Sequence, residues 1–127
     1  MTKLDNALIS EMPGWRQQLH SRPETGFDVH QTAEFVANLL ESFGLEVHTG
    51  IGQTGIVGVL RNGTSDLAIG LRADMDALQI QEMNTFDYRS QHDGKMHACG
   101  HDGHSTMLLG AAKHLSKNRN FNGTVYF

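Results

Sequence analysis

Cysteine occurs once, at Cys99, so no disulfide can form within the chain, and a reducing compartment is the expected setting. Long apolar runs are missing as well: no segment approaches the roughly 20 residues that a membrane-spanning helix requires. Basic stretches are also lacking. Ten Lys and Arg face fourteen Asp and Glu, a formal net charge of -4, so nothing in the chain would track a phosphate backbone and nucleic acid is not expected as a partner. The opening "MTKLDNALIS" has neither the charged start nor the apolar centre of a secretory signal. The expectation is a soluble cytoplasmic protein with no membrane partner. No repeat, linker or low-complexity stretch interrupts the 127 residues, which suit about one domain with a real core. The sequons at Asn62-Gly63-Thr64 and Asn122-Gly123-Thr124 read as turns.

What is present alternates between helical and extended patterns, which favours an α/β layer architecture. Leu4, Leu8, Met12, Trp15 and Leu19 recur every three or four residues as an amphipathic stripe, with Pro13-Gly14 predicting a kink or break inside it. A second stripe runs through Val29, Thr32, Ala33, Val36, Leu39, Leu40 and Phe43. Asp28 is its expected N-cap, and Gly44 stands where a left-handed C-cap would. Three short runs rich in Ile, Val and Leu follow, at Leu45 to Thr49, Gly55 to Gly63 and Asp66 to Asp74. The last two read as neighbouring strands joined by a tight turn at Arg61 to Ser65, and their near-continuous hydrophobicity predicts cover on both faces. A third helix is expected from near His104 or Ser105, carrying Met107, Leu108, Ala111, Ala112 and Leu115 on one face. "GTVYF" (Gly123 to Phe127) then reads as a strand.

The chemistry concentrates in "HACGHDGHS", His97 to Ser105, in the loop that leads into this third helix. Cys99 and His101 are one residue apart, so in an extended or turn conformation both side chains reach one side and one cation. Thiolate and imidazole together suit zinc, and manganese, cobalt, nickel or iron remain open where carboxylates complete the shell. The competing reading makes Cys99 a small buried residue and the histidines polar loop or capping groups. Asp74 and Asp76 stand just past a strand end, on one side of an extended chain and facing the same region; either could bind a cation or orient a histidine. A cap or turn role is the plainer alternative for this pair. His20, His30, His48, His92 and His114 read as surface or helix-cap residues.

Three ordered motifs carry a resemblance over nearly the whole chain: "RQQLHSRPETGFDVHQT" (Arg16 to Thr32), "GLRADMDALQIQE" (Gly70 to Glu82) and "MHACGHDGHSTMLLGAA" (Met96 to Ala112). Together they resemble the amidohydrolase branch of the metallopeptidase clan of aminoacylases and glutamate carboxypeptidases. That branch includes hippurate hydrolases, N-acetyldiaminopimelate deacetylases and plant auxin-conjugate hydrolases. The resemblance implies a helix-flanked sheet of a zinc-peptidase-like α/β catalytic domain. It implies Cys99 and His101 as ligands of one or two divalent metal ions, Mn2+ or Zn2+, and Asp74 as the catalytic carboxylate of the active centre. Asp102 and His104 become supporting residues, with His104 capping the helix or lining the pocket, and Leu19 to Gly26 a signature without direct chemistry. Gln79 stands where the branch usually has proline.

In that branch the pattern continues beyond the position of Phe127 with a Glu-Glu pair, which supplies the general base and a ligand, then two further histidine ligands and a lid. The resemblance therefore implies that residues 1–127 are the N-terminal part of the metal-dependent catalytic domain, with the rest of that domain and the lid and dimerisation domain outside it. The implied activity is metal-dependent hydrolysis of the amide bond of a small-molecule N-acyl amino acid, hippurate-like or N-acetylated, by a longer enzyme that forms a homodimer. This stretch alone is expected to be inactive. The alternatives are a non-catalytic fragment and a metal- or thiol-sensing module built on Cys99.

Overall fold

Helix α1, Asn6–Ser21, starts where the Asp5 carboxylate accepts a hydrogen bond from the Ala7 amide at 3.0 Å. In this computed structural model residues 5–127 are described, so Leu4 of the first stripe lies outside them. The helix runs unbroken through Pro13, where the sequence predicts a kink or break. Proline inside a helix costs about 3 kcal/mol. Burial of Leu8 and Leu19 on either side, at about 1.5–3 kcal/mol for each such side chain, outweighs it.

Helix α2, His30–Ser42, does not take Asp28 as its cap. Val29 occupies that position and has no side chain able to bond, so the free amides of the first turn are satisfied from elsewhere. The buried Glu24 carboxylate accepts from the Gln31 amide at 3.0 Å, the Thr32 amide at 2.7 Å and the Thr32 hydroxyl at 2.7 Å. Asp28 stays exposed, its amide closing a turn onto the Thr25 carbonyl. At the other end Gly44, at φ 82°, behaves as the sequence predicts. Its amide bonds the Glu41 carbonyl and the Leu45 amide bonds the Leu40 carbonyl, with Leu40 and Leu45 both buried in the core.

Strands β1 (Glu46–Ile51), β2 (Gly55–Asn62), β3 (Ala68–Gly70) and β4 (Gly123–Tyr126) form one sheet in the order β1-β2-β4-β3. β1 and β4 flank β2 in antiparallel fashion, and β3 pairs with β4 in parallel. The expected β2–β3 hairpin is therefore corrected: β4 lies between them. Asn122 is the physical reason, because its side-chain oxygen accepts from the Thr64 amide at 2.8 Å and the Ser65 amide at 2.9 Å. The Asn62 amide group donates in turn to the Arg119 and Phe121 carbonyls, at 2.9 and 2.5 Å. Both Asn-Gly turns thus close on each other, and the chain leaving β2 is carried past the start of β4 before it extends again.

Helix α3, His101–Lys117, makes the crossover from β3 to β4 and packs against α1 and α2. The side chain of Met12 lies so close to Gly110 that an added Cβ would meet its sulfur at 2.9 Å. The core gathers Val36 and Leu40 from α2, Leu45, Leu60 from β2, Leu109 and Ala112 from α3, and Val125 and Phe127. Gly58, Val59 and Leu60 are buried in succession, and since successive strand residues point to opposite faces, the centre of β2 is covered on both sides as expected. β3 is not: Ala68, Ile69 and Gly70 are all exposed. Among the described residues no helix is long and apolar enough to cross a membrane.

Glu24→Ala should destabilise the fold by on the order of 2–4 kcal/mol, because it removes charge-assisted bonds and strands buried amides. Urea unfolding measures this, and a loss under about 0.5 kcal/mol would mean that water caps α2 instead.

Candidate metal centre

Gly100 sits at φ 84° as the N-cap of α3, a conformation that a side chain would disfavour, and the His104 amide bonds back to its carbonyl at 3.0 Å. The helix therefore begins at His101, earlier than the apolar stripe predicts, because the glycine turn supplies a start that hydrophobic periodicity does not register. His101 and His104 stand on one face with ring centroids 5.8 Å apart, His104 exposed and His101 half-buried. Asp102 lies in the first turn, where a negative charge complements the free amides.

The strand exit from Leu71 onward runs alongside this first turn. His101 Nδ1 is 2.8 Å from the backbone carbonyl of Asp76 and 3.1 Å from its carboxylate. A carbonyl only accepts, so Nδ1 carries a proton and donates, which leaves Nε2 as the nitrogen that would meet a cation. Asp74 lies on the other side of the ring, its carboxylate 4.0 Å from Nε2 and paired with Arg72. The Asp74 backbone carbonyl accepts from the Ser105 hydroxyl at 3.0 Å, a second tie between strand exit and helix. Of the two carboxylates that the sequence places on one side, the one bonded to the histidine is Asp76; spacing alone does not separate them. Cys99 is exposed and free.

This donor set is chemically suited to a borderline cation. A histidine ligand ordinarily donates its second ring N–H to a carbonyl or carboxylate, and His101 does so. An accessible thiol two residues before the start of the helix adds a soft donor. Among the described residues, however, no three His, Cys, Asp or Glu side chains converge as a ligand group. Beside the centre lies an open, largely apolar cavity of about 760 Å³, bordered by Asp74, Met75, Asp76 and Ser105 on one side and by Val36, Leu40, Leu109 and Phe127 on the other.

Behind α3 is a second cluster that the sequence did not bring forward. His20, expected at the surface or at a helix end, is buried at 3% exposure near the end of α1. Its Nδ1 lies 2.8 Å from Asp102 and its Nε2 3.0 Å from Glu82. Arg16 Nε stands 3.3 Å from the same Asp102 oxygen. Burial alone would raise the Glu82 carboxyl, but bonds from Asn84, the Ser90 amide and His20 outweigh it and hold the group below the usual range. His97 is buried nearby with no partner for either ring nitrogen, and burial pushes its imidazole below the ordinary value. The weak signal for this cluster was the His20 to Glu24 segment itself, a motif without an evident chemical task. His92, another histidine expected at the surface, is half-buried and bonds the carbonyl of the fully buried Pro23 at 2.8 Å.

The fold and these motifs have counterparts. Hippurate hydrolase of Campylobacter jejuni is 56% identical over 118 residues, covering 93% of this chain and 30% of that protein. An N-acyl-L-amino acid amidohydrolase of Geobacillus stearothermophilus is 43% identical over 117 residues, covering 92% of this chain and 32% of the relative. Among solved structures, the Bacillus subtilis YXEP protein, described as a dinuclear metal binding peptidase from the M20 family, superposes with a TM-score of 0.90 at 36% identity. That superposition covers 97% of this chain and 35% of the other. The chain thus spans about a third of the length of the relatives it matches. Residues 70–127, which hold the strand exit, the Cys-Gly-His turn and α3, match the profile of Peptidase family M20/M25/M40. A common fold along almost the whole chain, with the family profile falling on the segment that carries the candidate centre, makes this chain similar to members of Peptidase family M20/M25/M40 over the part of them that it spans.

Proposed function

We propose that this chain is the N-terminal part of the catalytic domain of a metal-dependent amidohydrolase that cleaves the amide bond of N-acyl amino acids, hippurate-like or N-acetylated. The observation that carries the reading is His101, whose Nδ1–H is fixed on Asp76 so that Nε2 is left free of a backbone partner, two residues along the chain from the accessible Cys99. The activities named for the Campylobacter and Geobacillus relatives support the substrate class.

In this reading Cys99 and His101 hold a divalent ion, Mn2+ or Zn2+, and a second ion shares the centre in the whole protein. The bound metal supplies Lewis-acid chemistry, polarising the scissile carbonyl and acidifying water. The chain's own residues do the positioning. Asp76 fixes the tautomer and plane of His101, Ser105 anchors the strand exit through the Asp74 carbonyl, and the Asp74 carboxylate faces the open side of the imidazole. We assign Asp74 to orienting the reacting groups. The general base and the remaining ligands come from outside residues 1–127, so this stretch by itself is inactive. A cytoplasmic homodimer with a lid domain completes the proposal, and a reducing compartment keeps the thiol of Cys99 available to metal.

The test is hydrolysis of hippurate and a panel of N-acetyl amino acids by the full-length protein, with Mn2+ or Zn2+ and a chelator control. Cys99→Ala and His101→Ala should each abolish chelator-sensitive turnover and lower bound metal. Wild-type turnover of either variant at limiting metal would sink the ligand assignment. Asp76→Ala leaves the backbone carbonyl on Nδ1, so metal affinity should fall only about 10-fold, the lower end for loss of such a supporting group. Asp74→Asn should reduce kcat more than metal content; equal reduction of both would make Asp74 a ligand.

A further inference from the structure

His20 is the buried group that the proposed reaction does not use, and both of its ring nitrogens are engaged. Both ring nitrogens face carboxylate oxygens, Nδ1 on Asp102 at 2.8 Å and Nε2 on Glu82 at 3.0 Å. The ring therefore bridges the two carboxyl groups. Glu82 has little room for a proton of its own: one oxygen takes the Asn84 side-chain amide at 2.9 Å in addition to His20, and the other takes the Ser90 amide at 2.5 Å. Arg16 adds a guanidinium contact to the same Asp102 oxygen. The rings of Phe86 and Tyr88, stacked 4.2 Å apart, each lie 5.8 Å from the imidazole and cover it against solvent.

The clamp joins three elements through side chains, beside the single backbone bond from the Gln91 amide to the Ser21 carbonyl. His20 ends α1, Glu82 belongs to the long connection after β3, and Asp102 directly follows His101 in the first turn of α3. Any shift of Asp102 carries His101 with it and changes the angle at which Nε2 is presented. We propose that His20 is a positioning residue for the Cys99–His101 pair: a buried imidazole held between Asp102 and Glu82 locks the first turn of α3, so that metal capture depends on a side chain that never touches the metal. This inference rests on the reading of Cys99 and His101 as metal ligands.

The experiment uses the full-length protein and Co2+ as the probe, read through the thiolate-to-cobalt charge-transfer band. Wild type should show the band and Cys99→Ala should lose it. His20→Gln, which cannot donate to both carboxylates, should weaken Co2+ binding by about 10–100-fold, the range for groups that orient a metal ligand. That comparison is made at a temperature where circular dichroism shows it folded. Gly44→Ala, strained at the far end of α2, serves as a control for lost stability alone and should bind Co2+ like wild type. Absence of a cysteine-dependent band in wild type would sink the metal reading itself. A normal band with unchanged affinity in folded His20→Gln would overturn the positioning role and leave the metal reading standing. Should His20→Gln fail to fold, Glu82→Gln decides: it should lower affinity several-fold, and an unaltered affinity in folded Glu82→Gln would overturn the clamp.

Discussion

Asp102 meets two demands at once, and the architecture around the candidate centre follows from how it does so. It sits in the first turn of α3, among amides that favour a negative charge, yet it is 2% exposed and needs partners within the protein. His20 and Arg16, both on α1, supply them. Taking charges out of water costs several kcal/mol for each ion, so such a cluster contributes little net stability even when well paired. What it contributes is geometry. The bonds from His20 and Arg16 to Asp102 fix α1 against the first turn of α3, and the close approach of Met12 to Gly110 fixes it further along.

The connection from Leu71 to Gly100 contains no helix or ladder of its own, and loops of that length in compact domains are either functional or disordered. This one is held at discrete points. The Ala77 amide bonds the Glu24 carbonyl at 2.7 Å, Leu78 and Met96 exchange a pair of bonds at 3.0 Å, and the Gln91 amide bonds the Ser21 carbonyl at 2.8 Å. Three of its anchors therefore fall between Ser21 and Glu24: the Ser21 and Glu24 carbonyls and the Pro23 carbonyl that accepts from His92. The early signature has no chemistry of its own because it is the frame on which the chemical loop is strung. Its Glu24 carboxylate caps α2 while its backbone carbonyl receives Ala77.

Local signals were legible in the sequence and distant ones were not. Gly44 marks the end of α2 because a left-handed residue needs only its neighbours, and Cys99 with His101 stands out because one-residue spacing is itself the geometry. The start of α2 was misplaced because its cap comes from Glu24, across the turn that contains Asp28. His20 was invisible because its partners are 62 and 82 residues away, and a lone histidine at a helix end has no local mark of burial. Between Asp74 and Asp76 the alternation of an extended chain gives no preference, and only the position of α3 decides which of them meets Nδ1.

The misread strand order and the location of the centre share a single cause. Parallel pairing of β3 with β4 forces the intervening chain to cross over, and α3 is the element that crosses. In such a unit the carboxyl ends of both strands reach the same edge of the sheet: the Leu71 amide bonds the Tyr126 carbonyl at 2.8 Å as the chain leaves β3. That edge is where α/β folds collect functional groups. Had β3 returned beside β2 as a hairpin, β4 would lie elsewhere and the Leu71–Asp76 exit would sit one strand away, about 4.8 Å, from its observed place. The 2.8 Å bond from His101 to the Asp76 carbonyl would not survive a displacement of that size. Asn122, which ties the chain leaving β2 to the start of β4, thus belongs to the same arrangement that brings the Asp76 carbonyl to His101.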